Sequence, residues 1–433
     1  MGMLSVQEVY RQKLVSPEQA VKIINSGDII WMPLAGTEAN ILCKALCDRK
    51  DELEGVVMRQ MLQGRKQPYF DPAFAPHIFI DSWFTGGAGR KHIQEGHGTF
   101  TANTFNEVPR LIRQSGRVDA VMFTAAPMDE HGYLNFGLGC DYTPAALELA
   151  RKVIVEVNPN MPRTGGSNNI HISKVDYVVE CNEPIIELPV APITELEEKI
   201  GAHVAELIED GSTLQVGVGG VPNAVCKFLE HKKDLGVHTE MVVDGLMGLV
   251  ESGAVNGSKK SIHKGKFIGT FALGTKKLYN FMNNNPSIEM LPVDYTNNPY
   301  IIGQNSKMVS INATVEVDLF GQCCSESIGT VHWSGSGGQL DYARGANVCP
   351  DGKGFITLNS TAKGGTISKI VPTLTPGALV TTGKNDVDHV VTEYGVAKLR
   401  GKSMRERALA LINIAHPDFR DELRHAAKKM NLI

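Results

Sequence analysis

Gly217-Val218-Gly219-Gly220-Val221-Pro222 predicts a strand-to-helix turn, and His238-Thr239-Glu240 follows it about one helix length later. Residues 213–216, in which Leu214 and Val216 are apolar, predict the strand, and Pro222 suits the first turn of a helix, where its missing N–H is not needed. In open α/β sheets, ligands bind at the carboxyl ends of the strands. We therefore expect the glycine turn and Glu240 to lie near a ligand, although a tight turn without any ligand is the plain alternative.

A related segment lies near the N-terminus. Residues 20–36 align with residues 204–220 at an offset of 184 positions. Each segment predicts a helix, a glycine suited to a helix C-cap (Gly27 or Gly211), a short apolar strand and a glycine-containing turn. Chance similarity is the alternative explanation. We interpret the pair as two similar open α/β domains, residues 1–187 and 188–433, with the active site at their interface.

Further apolar runs extend both predicted sheets. Residues 118–123 and 153–157 predict strands with a helix at about 143–152 between them, which is a βαβ unit with parallel strands. The C-terminal half holds five more candidate strands, at residues 240–243, 261–268, 287–293, 378–380 and 388–391.

Composition limits the class of protein. A chain of 433 residues is too long for one ordinary core, and a net charge of −4 gives no general attraction to nucleic acid. The eight cysteines are scattered without a CxxC pair, so neither a zinc site nor a disulfide framework is predicted. The N-terminus has no signal-peptide pattern, and no apolar run approaches the roughly 20 residues of a membrane span. We expect a cytoplasmic protein without metal, nucleic acid or membrane.

One carboxylate beside a glycine turn suggests acyl transfer. Glu240 would be the nucleophile, and the amide of Val218 or Gly219 would donate to the oxyanion. Taken alone, a glutamate in this position is more often a carboxylate at a strand edge than a catalytic residue. The turn also resembles the dinucleotide fingerprint G-x-G-x-x-G, but Pro222 replaces the last glycine, which disfavours a nicotinamide-dependent dehydrogenase.

Three weaker motifs are ambiguous. Glycines are dense at 333–346, where Asp341 and Arg344 would pair if the segment is helical. Residues 129–132 predict a tight turn rather than a metal site, because consecutive side chains rarely converge on one ion. Lysines at 259–266 would either contact phosphates or form a solvated charged face.

Eight stretches spread over nearly the whole chain carry a family resemblance: residues 129–133, 157–164, 217–222, 238–240, 312–322, 335–346, 360–363 and 392–401. They are similar to motifs of the acetyl-CoA hydrolase/transferase family of coenzyme A transferases. The branch they resemble contains 4-hydroxybutyrate and butyrate CoA-transferases, and itaconate CoA-transferases look similar to it.

The resemblance implies two similar α/β domains with the active site between them and Glu240 as the nucleophile. Its other site residues are catalytic Val218, Gly337 and Gly338, and CoA-binding Gly217, Gly219, Gly220 and Lys363. The implied reaction is a ping-pong transfer of CoA through a glutamyl-CoA thioester. It needs no cofactor, because the coenzyme A thioester is a substrate.

The expected partners are an acyl-CoA and a short-chain carboxylate, with butyrate, 4-hydroxybutyrate, acetate, itaconate and succinate as candidate acids. Two other functions remain open at this point: a thioester hydrolase that uses the same glutamate, and a non-catalytic acyl-CoA binding protein. Assembly into a homo-oligomer also remains open.

Overall fold

The computed structural model describes residues 5–433, and the chain divides into two compact units. The N-terminal unit comprises Met1–Leu188 and Gly269–Tyr295, and the C-terminal unit comprises Pro189–Ile268 and Thr296–Ile433. The division of the sequence into residues 1–187 and 188–433 remains a prediction. Residues 269–295 lie beyond that boundary but group with the N-terminal unit.

The N-terminal unit contains a seven-stranded parallel sheet. Its strands are β1 (Ile29–Met32), β2 (Val56–Met61), β3 (Ile78–Phe84), β4 (Thr99–Phe100), β5 (Ala120–Ala125), β6 (Val153–Val157) and β7 (Tyr177–Glu180). The spatial order is β7-β6-β5-β1-β2-β3-β4. Val121 of β5 lies opposite Val153 of β6, and the helix Thr143–Leu149 connects these strands, which confirms the predicted βαβ unit.

The C-terminal unit contains a run of seven paired strands. They are β8 (Thr213–Val216), β9 (Gly236–His238), β10 (Phe267–Gly269), β11 (Met308–Ala313), β12 (Lys353–Thr357), β13 (His389–Thr392) and β14 (Gly395–Lys398). Their order is β14-β13-β12-β11-β8-β9-β10, and only the β13–β14 pair is antiparallel.

The remaining elements are helices and short strands. The α-helices are Val6–Lys13, Pro17–Ala20, Asn40–Asp48, Arg90–Gln94, Val108–Ser115, Thr143–Leu149, Glu195–Glu206, Gly220–Leu229, Asp244–Glu251, Lys276–Met282, Val293–Thr296, Pro299–Ile302, Gln339–Val348, Met404–Ile414 and Arg420–Lys429. The short strands are Tyr133–Asn135, Gly165–Gly166, Asn169–His171, Met241–Val242, Phe271–Ala272, Ile288–Met290, Glu316–Asp318, Cys323–Cys324, Ser327–Ile328, Val331–His332, Thr361–Ala362, Ile367–Ser368 and Ile370–Val371.

The predicted repeat is present in the structure. Strands β1 and β8 start and end at positions 184 residues apart. Gly27 and Gly211, which precede them, have φ angles of 76° and 75°, a left-handed conformation that glycine adopts without strain. In each unit the first strand lies between a later strand and the second strand. The strand order therefore reverses beside β1 and beside β8, and in α/β folds such positions bind ligands.

Two of the predicted strands are wrong. Of residues 261–268, only the last two lie in a strand, because the segment before them folds into turns in which Gly265 N–H donates to the Gly257 carbonyl. Residues 378–380 form no strand, since Gly377 adopts a φ of 85° and Ala378 N–H closes a turn on the Thr375 carbonyl. Apolar content alone did not reveal these turns.

Lys260 corrects the interpretation of the lysine-rich segment. It was a candidate for a phosphate contact or a solvated face, but its side chain is buried, with 2% of the residue exposed. Its ammonium donates to the carbonyls of Val237 and Lys266, at 2.8 and 2.9 Å. The buried ammonium is hydrogen-bonded to Val237 of β9, so it stabilises this strand and cannot reach a solvent-exposed phosphate.

Two general features bear on function. Within residues 5–433, no helix combines the length and the apolar character that a membrane crossing requires. The eight cysteines are free thiols, and seven of them are buried.

We predict that Lys260→Ala lowers the free energy of unfolding by roughly 1–3 kcal/mol, because it removes a buried side chain whose ammonium donates to the carbonyls of Val237 and Lys266. The exposed Lys264 offers a matched control, since Lys264→Ala should change stability by less than about 0.5 kcal/mol. Urea denaturation followed by circular dichroism measures both. Equal stability of the two variants would contradict the structural role of Lys260.

Candidate active site

Glu240 lies just beyond the carboxyl end of a central strand. Strand β9 is paired in parallel with β8 on one side and β10 on the other. Thr239 N–H continues the second ladder by donating to the Ile268 carbonyl at 3.0 Å. The pairing ends there, so the Glu240 side chain leaves the sheet at the edge where parallel α/β sheets bind their ligands.

Two donors hold the Glu240 carboxylate. The Asn297 side-chain amide donates to Oε2 at 2.6 Å, and the backbone N–H of Gly338 also donates to the carboxylate. Burial of the carboxyl group raises the pKa of Glu240 to about 7, although both hydrogen bonds act in the opposite direction. The site thus contains a half-buried carboxylate with a raised proton affinity, a property that favours nucleophilic attack.

Glycine is the only residue type that fits at position 338. A Cβ atom there would overlap both Oε2 of Glu240 and Nδ2 of Asn297. Gly338 is also the N-cap of the helix Gln339–Val348, so the carboxylate lies at the positive end of a ten-residue helix. Gly337, with a φ of 54°, forms the turn that leads into this cap. The structure therefore brings Gly337 and Gly338 together with Glu240.

The glycine turn provides unused donors at the same edge. Gly219 has a φ of 124° and caps the helix Gly220–Leu229. Gly217 N–H donates to the Ile311 carbonyl, whereas the amides of Val218, Gly219 and Gly220 have no acceptor within the described residues. Free amides at a helix N-terminus are a favourable place for an anion.

The turn and Glu240 share this edge because their strands are neighbours. Leu214 of β8 lies opposite Val237 of β9, and both strands run in the same direction. Among the described residues, no hydrogen bond joins the glycine turn to the Glu240 carboxylate. The oxyanion role of Val218 and the CoA contacts of Gly217, Gly219 and Gly220 remain predictions.

Lys363 lies at the tip of a hairpin. The strands Thr361–Ala362 and Ile367–Ser368 pair in an antiparallel manner, and Lys363 between them is exposed with a φ of 48°. Its carbonyl accepts a hydrogen bond from Thr366 Oγ1 at 2.9 Å. This exposed cation is free to meet an anionic ligand, and its assignment to CoA stays a prediction.

The glycine-dense segment leads into a helix, which is the condition that we set for an Asp341–Arg344 pair. In the helix Gln339–Val348, Asp341 is buried while Arg344 is half exposed. Arg344 pairs with Asp386 at 3.2 Å. An ion pair between Asp341 and Arg344 stays a prediction.

The segment 129–132 forms the tight turn that we expected. Gly132 has a φ of 88°, and Asp129 Oδ1 accepts the backbone N–H groups of His131 and Tyr133 at 3.0 and 2.8 Å. In the part of the chain that the structure describes, no group of three or more His, Cys, Asp or Glu residues could hold a metal ion.

The sequence analysis missed Asn297, which is fully buried and contacts Glu240 directly. Asn297 lies in Thr296-Asn297-Asn298-Pro299, a pattern that is typical of an ordinary turn. Its distance of 57 positions from Glu240 gives no local signal. Only the folded chain reveals that this asparagine belongs to the site.

Comparison with known proteins gives matches over nearly the whole chain. The model of the acetyl-CoA hydrolase/transferase N-terminal domain matches residues 3–189, and that of the C-terminal domain matches residues 274–427. A succinyl-CoA:cyclohexane-1-carboxylate CoA transferase from Geobacter metallireducens is 56% identical over 99% of this chain and 98% of its own length.

Solved structures agree with these sequence matches. The crystal structure of RipA from Yersinia pestis has a TM-score of 0.95 and 40% identity, and the match covers 99% of this chain and 100% of that one. The 4-hydroxybutyrate CoA-transferase from Porphyromonas gingivalis has a TM-score of 0.85 and 41% identity, with coverage of 98% and 99%. The mixed α/β fold is thus that of CoA-transferases.

We predict that Gly338→Ala lowers acyl-CoA turnover by about 100-fold, because the new methyl group displaces the Glu240 carboxylate from Asn297. Steady-state kinetics on the folded variant measures this loss.

Gly248→Ala is the matched control, since a Cβ at Gly248 meets no atom within 4 Å. This helical substitution should retain turnover and add roughly 0.5–1 kcal/mol of stability. Normal turnover in Gly338→Ala would contradict the close approach of Gly338 to Glu240.

Proposed function

The chain belongs to the acetyl-CoA hydrolase/transferase family and is a CoA-transferase, and we propose that it transfers CoA between carboxylic acids through a thioester on Glu240. The observation that carries this proposal is the half-buried Glu240 carboxylate, whose Oε2 accepts a hydrogen bond from Asn297 and whose pKa is raised to about 7. With Oε2 held by Asn297, Oε1 is the oxygen that attacks.

The first half-reaction loads the glutamate. Oε1 of Glu240 attacks the thioester carbonyl of the acyl-CoA, and the carbon–sulfur bond breaks to release the CoA thiolate. The product is an acyl-glutamyl anhydride. The thiolate then attacks the glutamyl carbonyl, and the first acid leaves as its carboxylate. Glu240 now carries CoA as a thioester.

The second half-reaction runs these steps backwards with another acid. The acceptor carboxylate attacks the glutamyl thioester, and the thiolate departs and then attacks the acyl carbonyl. The new acyl-CoA leaves, and the Glu240 carboxylate is regenerated. None of these steps is an oxidation or a reduction, and none uses a metal-bound group. The proposed reaction therefore needs no cofactor besides the CoA thioester substrate.

Each attack creates an oxyanion that needs hydrogen-bond donors. When the thiolate attacks the glutamyl carbonyl, the charge develops on the oxygen that Asn297 and Gly338 already contact. For the acyl carbonyl we assign the unpaired amides of Val218 and Gly219, with the Lys363 hairpin as a contact for the CoA anion. These donors exist before the reaction, which is the condition for electrostatic stabilisation.

The acids are proposed from the relatives. One relative is named for succinyl-CoA and cyclohexane-1-carboxylate, and a structural neighbour is named for 4-hydroxybutyrate. We propose succinyl-CoA as a donor and a short-chain carboxylate as the acceptor, within a set that includes butyrate, 4-hydroxybutyrate, acetate and itaconate. A cytoplasmic location and a homo-oligomeric state remain predictions.

We predict that incubation with acyl-CoA followed by borohydride converts Glu240 to an alcohol. Borohydride reduces the thioester, so the peptide with Glu240 loses one oxygen and gains two hydrogens. Mass spectrometry of the digested protein locates this change.

Two variants control the trapping experiment. Glu240→Gln should show no modification, whereas Glu230→Gln, an exposed glutamate in the same unit, should be modified like the wild type. An unmodified Glu240 peptide in the wild type, under conditions where CoA is transferred, would contradict the covalent mechanism.

We also predict that succinyl-CoA is consumed only when an acceptor acid is present. Each acid is supplied with labelled succinyl-CoA, and new CoA esters are separated by chromatography. Cyclohexane-1-carboxylate belongs in the panel with the four acids named above. Consumption in water alone, at the rate seen with the best acid, would favour a thioester hydrolase, and binding without any turnover would favour a non-catalytic acyl-CoA binding protein.

A further inference from the structure

Asn297 is held in place from only one end of its side chain. Its Nδ2 donates to Glu240, but its Oδ1 is buried and has no hydrogen-bond partner among the described residues. A side-chain amide has a fixed orientation when both its nitrogen and its oxygen are hydrogen-bonded, and the amide of Asn297 is hydrogen-bonded only through its nitrogen. The position of Nδ2 must therefore come from the backbone to which the side chain is attached.

The adjoining carbonyl is fixed by two buried side chains. The carbonyl of Thr296, whose carbon is bonded to the Asn297 nitrogen, accepts His238 Nε2–H at 2.8 Å and Tyr342 O–H at 3.1 Å. His238, Thr296 and Asn297 are fully buried, and 1% of Tyr342 is exposed. A carbonyl with both lone pairs occupied by buried donors has little freedom to rotate.

Both donors lead back to the nucleophile. His238 precedes Glu240 by two residues on the same strand and its continuation. Tyr342 lies about one turn into the helix that Gly338 caps, and Gly338 itself contacts Glu240. The contacts therefore form a closed ring, which runs from Glu240 through Gly338, Tyr342, Thr296 and Asn297 back to Glu240.

The imidazole of His238 is neutral near pH 7 and donates through Nε2–H. Burial, with a smaller contribution from Lys260, lowers the pKa of His238 to about 3, so the imidazole stays neutral. Because the Thr296 oxygen only accepts, the proton of the neutral ring is on Nε2. Nδ1 is then an acceptor, and it has no partner within the described residues.

We infer that His238 and Tyr342 are positioning residues, which fix the Thr296 carbonyl and thereby hold the Asn297 amide against the nucleophile Glu240. The inference rests on the proposed function only in that Glu240 is the nucleophile. Neither residue touches the reacting atoms, so their loss should change the rate and the ionisation of Glu240 while the affinity for acyl-CoA is retained.

The test measures the loading of Glu240 as a function of pH. In the wild type, loading should fall about tenfold per pH unit below a midpoint near 7, since protonation removes the nucleophile. His238→Leu removes one donor to Thr296. We expect about a tenfold lower loading rate, a KM within about twofold of wild type, and a midpoint shifted to higher pH because Asn297 stabilises the carboxylate less.

Conservative substitution separates positioning from packing. His238→Gln places an amide N–H where Nε2–H was, and it should restore most of the rate and the wild-type midpoint. Tyr342→Phe, which keeps the ring in the core, should slow loading by about threefold. Tyr279→Phe is its matched control, because Tyr279 O–H also donates from a buried position to a backbone carbonyl, that of Ile186.

The decisive comparison uses Asn297→Ala. If His238 and Tyr342 act through Asn297, adding either substitution to Asn297→Ala should cost no further rate. The inference would be overturned if His238→Leu and Tyr342→Phe lowered the loading rate equally in the presence and absence of Asn297. It would also be overturned if both variants kept the wild-type pH midpoint of loading. A wild-type protein that transfers CoA without loading Glu240 would instead refute the proposed function, so the two failures are distinguishable.

Discussion

The site depends on the balance between burial and hydrogen bonding at one carboxylate. Removing Glu240 from water raises its pKa to about 7, and the donors from Asn297 and Gly338 limit that rise. Without these donors the pKa of Glu240 would lie higher still, and a smaller fraction of the group would be ionised at neutral pH. Without burial it would be an ordinary, well-solvated carboxylate. The loop that carries Asn297 and the helix that starts at Gly338 therefore influence the ionisation and the orientation of the Glu240 side chain, although Glu240 itself follows strand β9.

The α/β architecture explains how distant parts of the sequence meet there. Parallel strands leave their carboxyl ends at one edge, so the turn after β8 and the residues after β9 emerge together although about twenty positions separate them. The same strand order occurs in the N-terminal unit, where β1 lies between β5 and β2. In the C-terminal unit the turn after the first strand has three amides without an acceptor among the described residues, and a half-buried glutamate follows the next strand. A shared fold thus carries chemistry at an edge only where these particular residues are present.

Close packing around the carboxylate leaves little freedom for substitution. Gly338 has no room for a methyl group, and Lys260 supports β9 from beneath with two backbone contacts. His238 lies beside that support, and its burial keeps the imidazole neutral. Polar groups buried this densely are stabilising only when their donors and acceptors are matched. The unpartnered oxygen of Asn297 is an exception, and it makes the orientation of the amide depend on its backbone.

The sequence by itself determined several local elements and the repeat, and it singled out Glu240 as the candidate nucleophile. The left-handed glycines Gly27 and Gly211 and the strand at 153–157 follow from short-range stereochemistry and periodicity, whereas Glu240 was singled out by its resemblance to family motifs. Tertiary structure alone decided which groups surround that glutamate. Asn297 resembles any turn asparagine, and Lys260 resembles a surface lysine, until the folded chain shows that both are buried. The physical reason is that desolvation and hydrogen-bond pairing depend on atoms brought together across the sheet, which no local pattern of residues records.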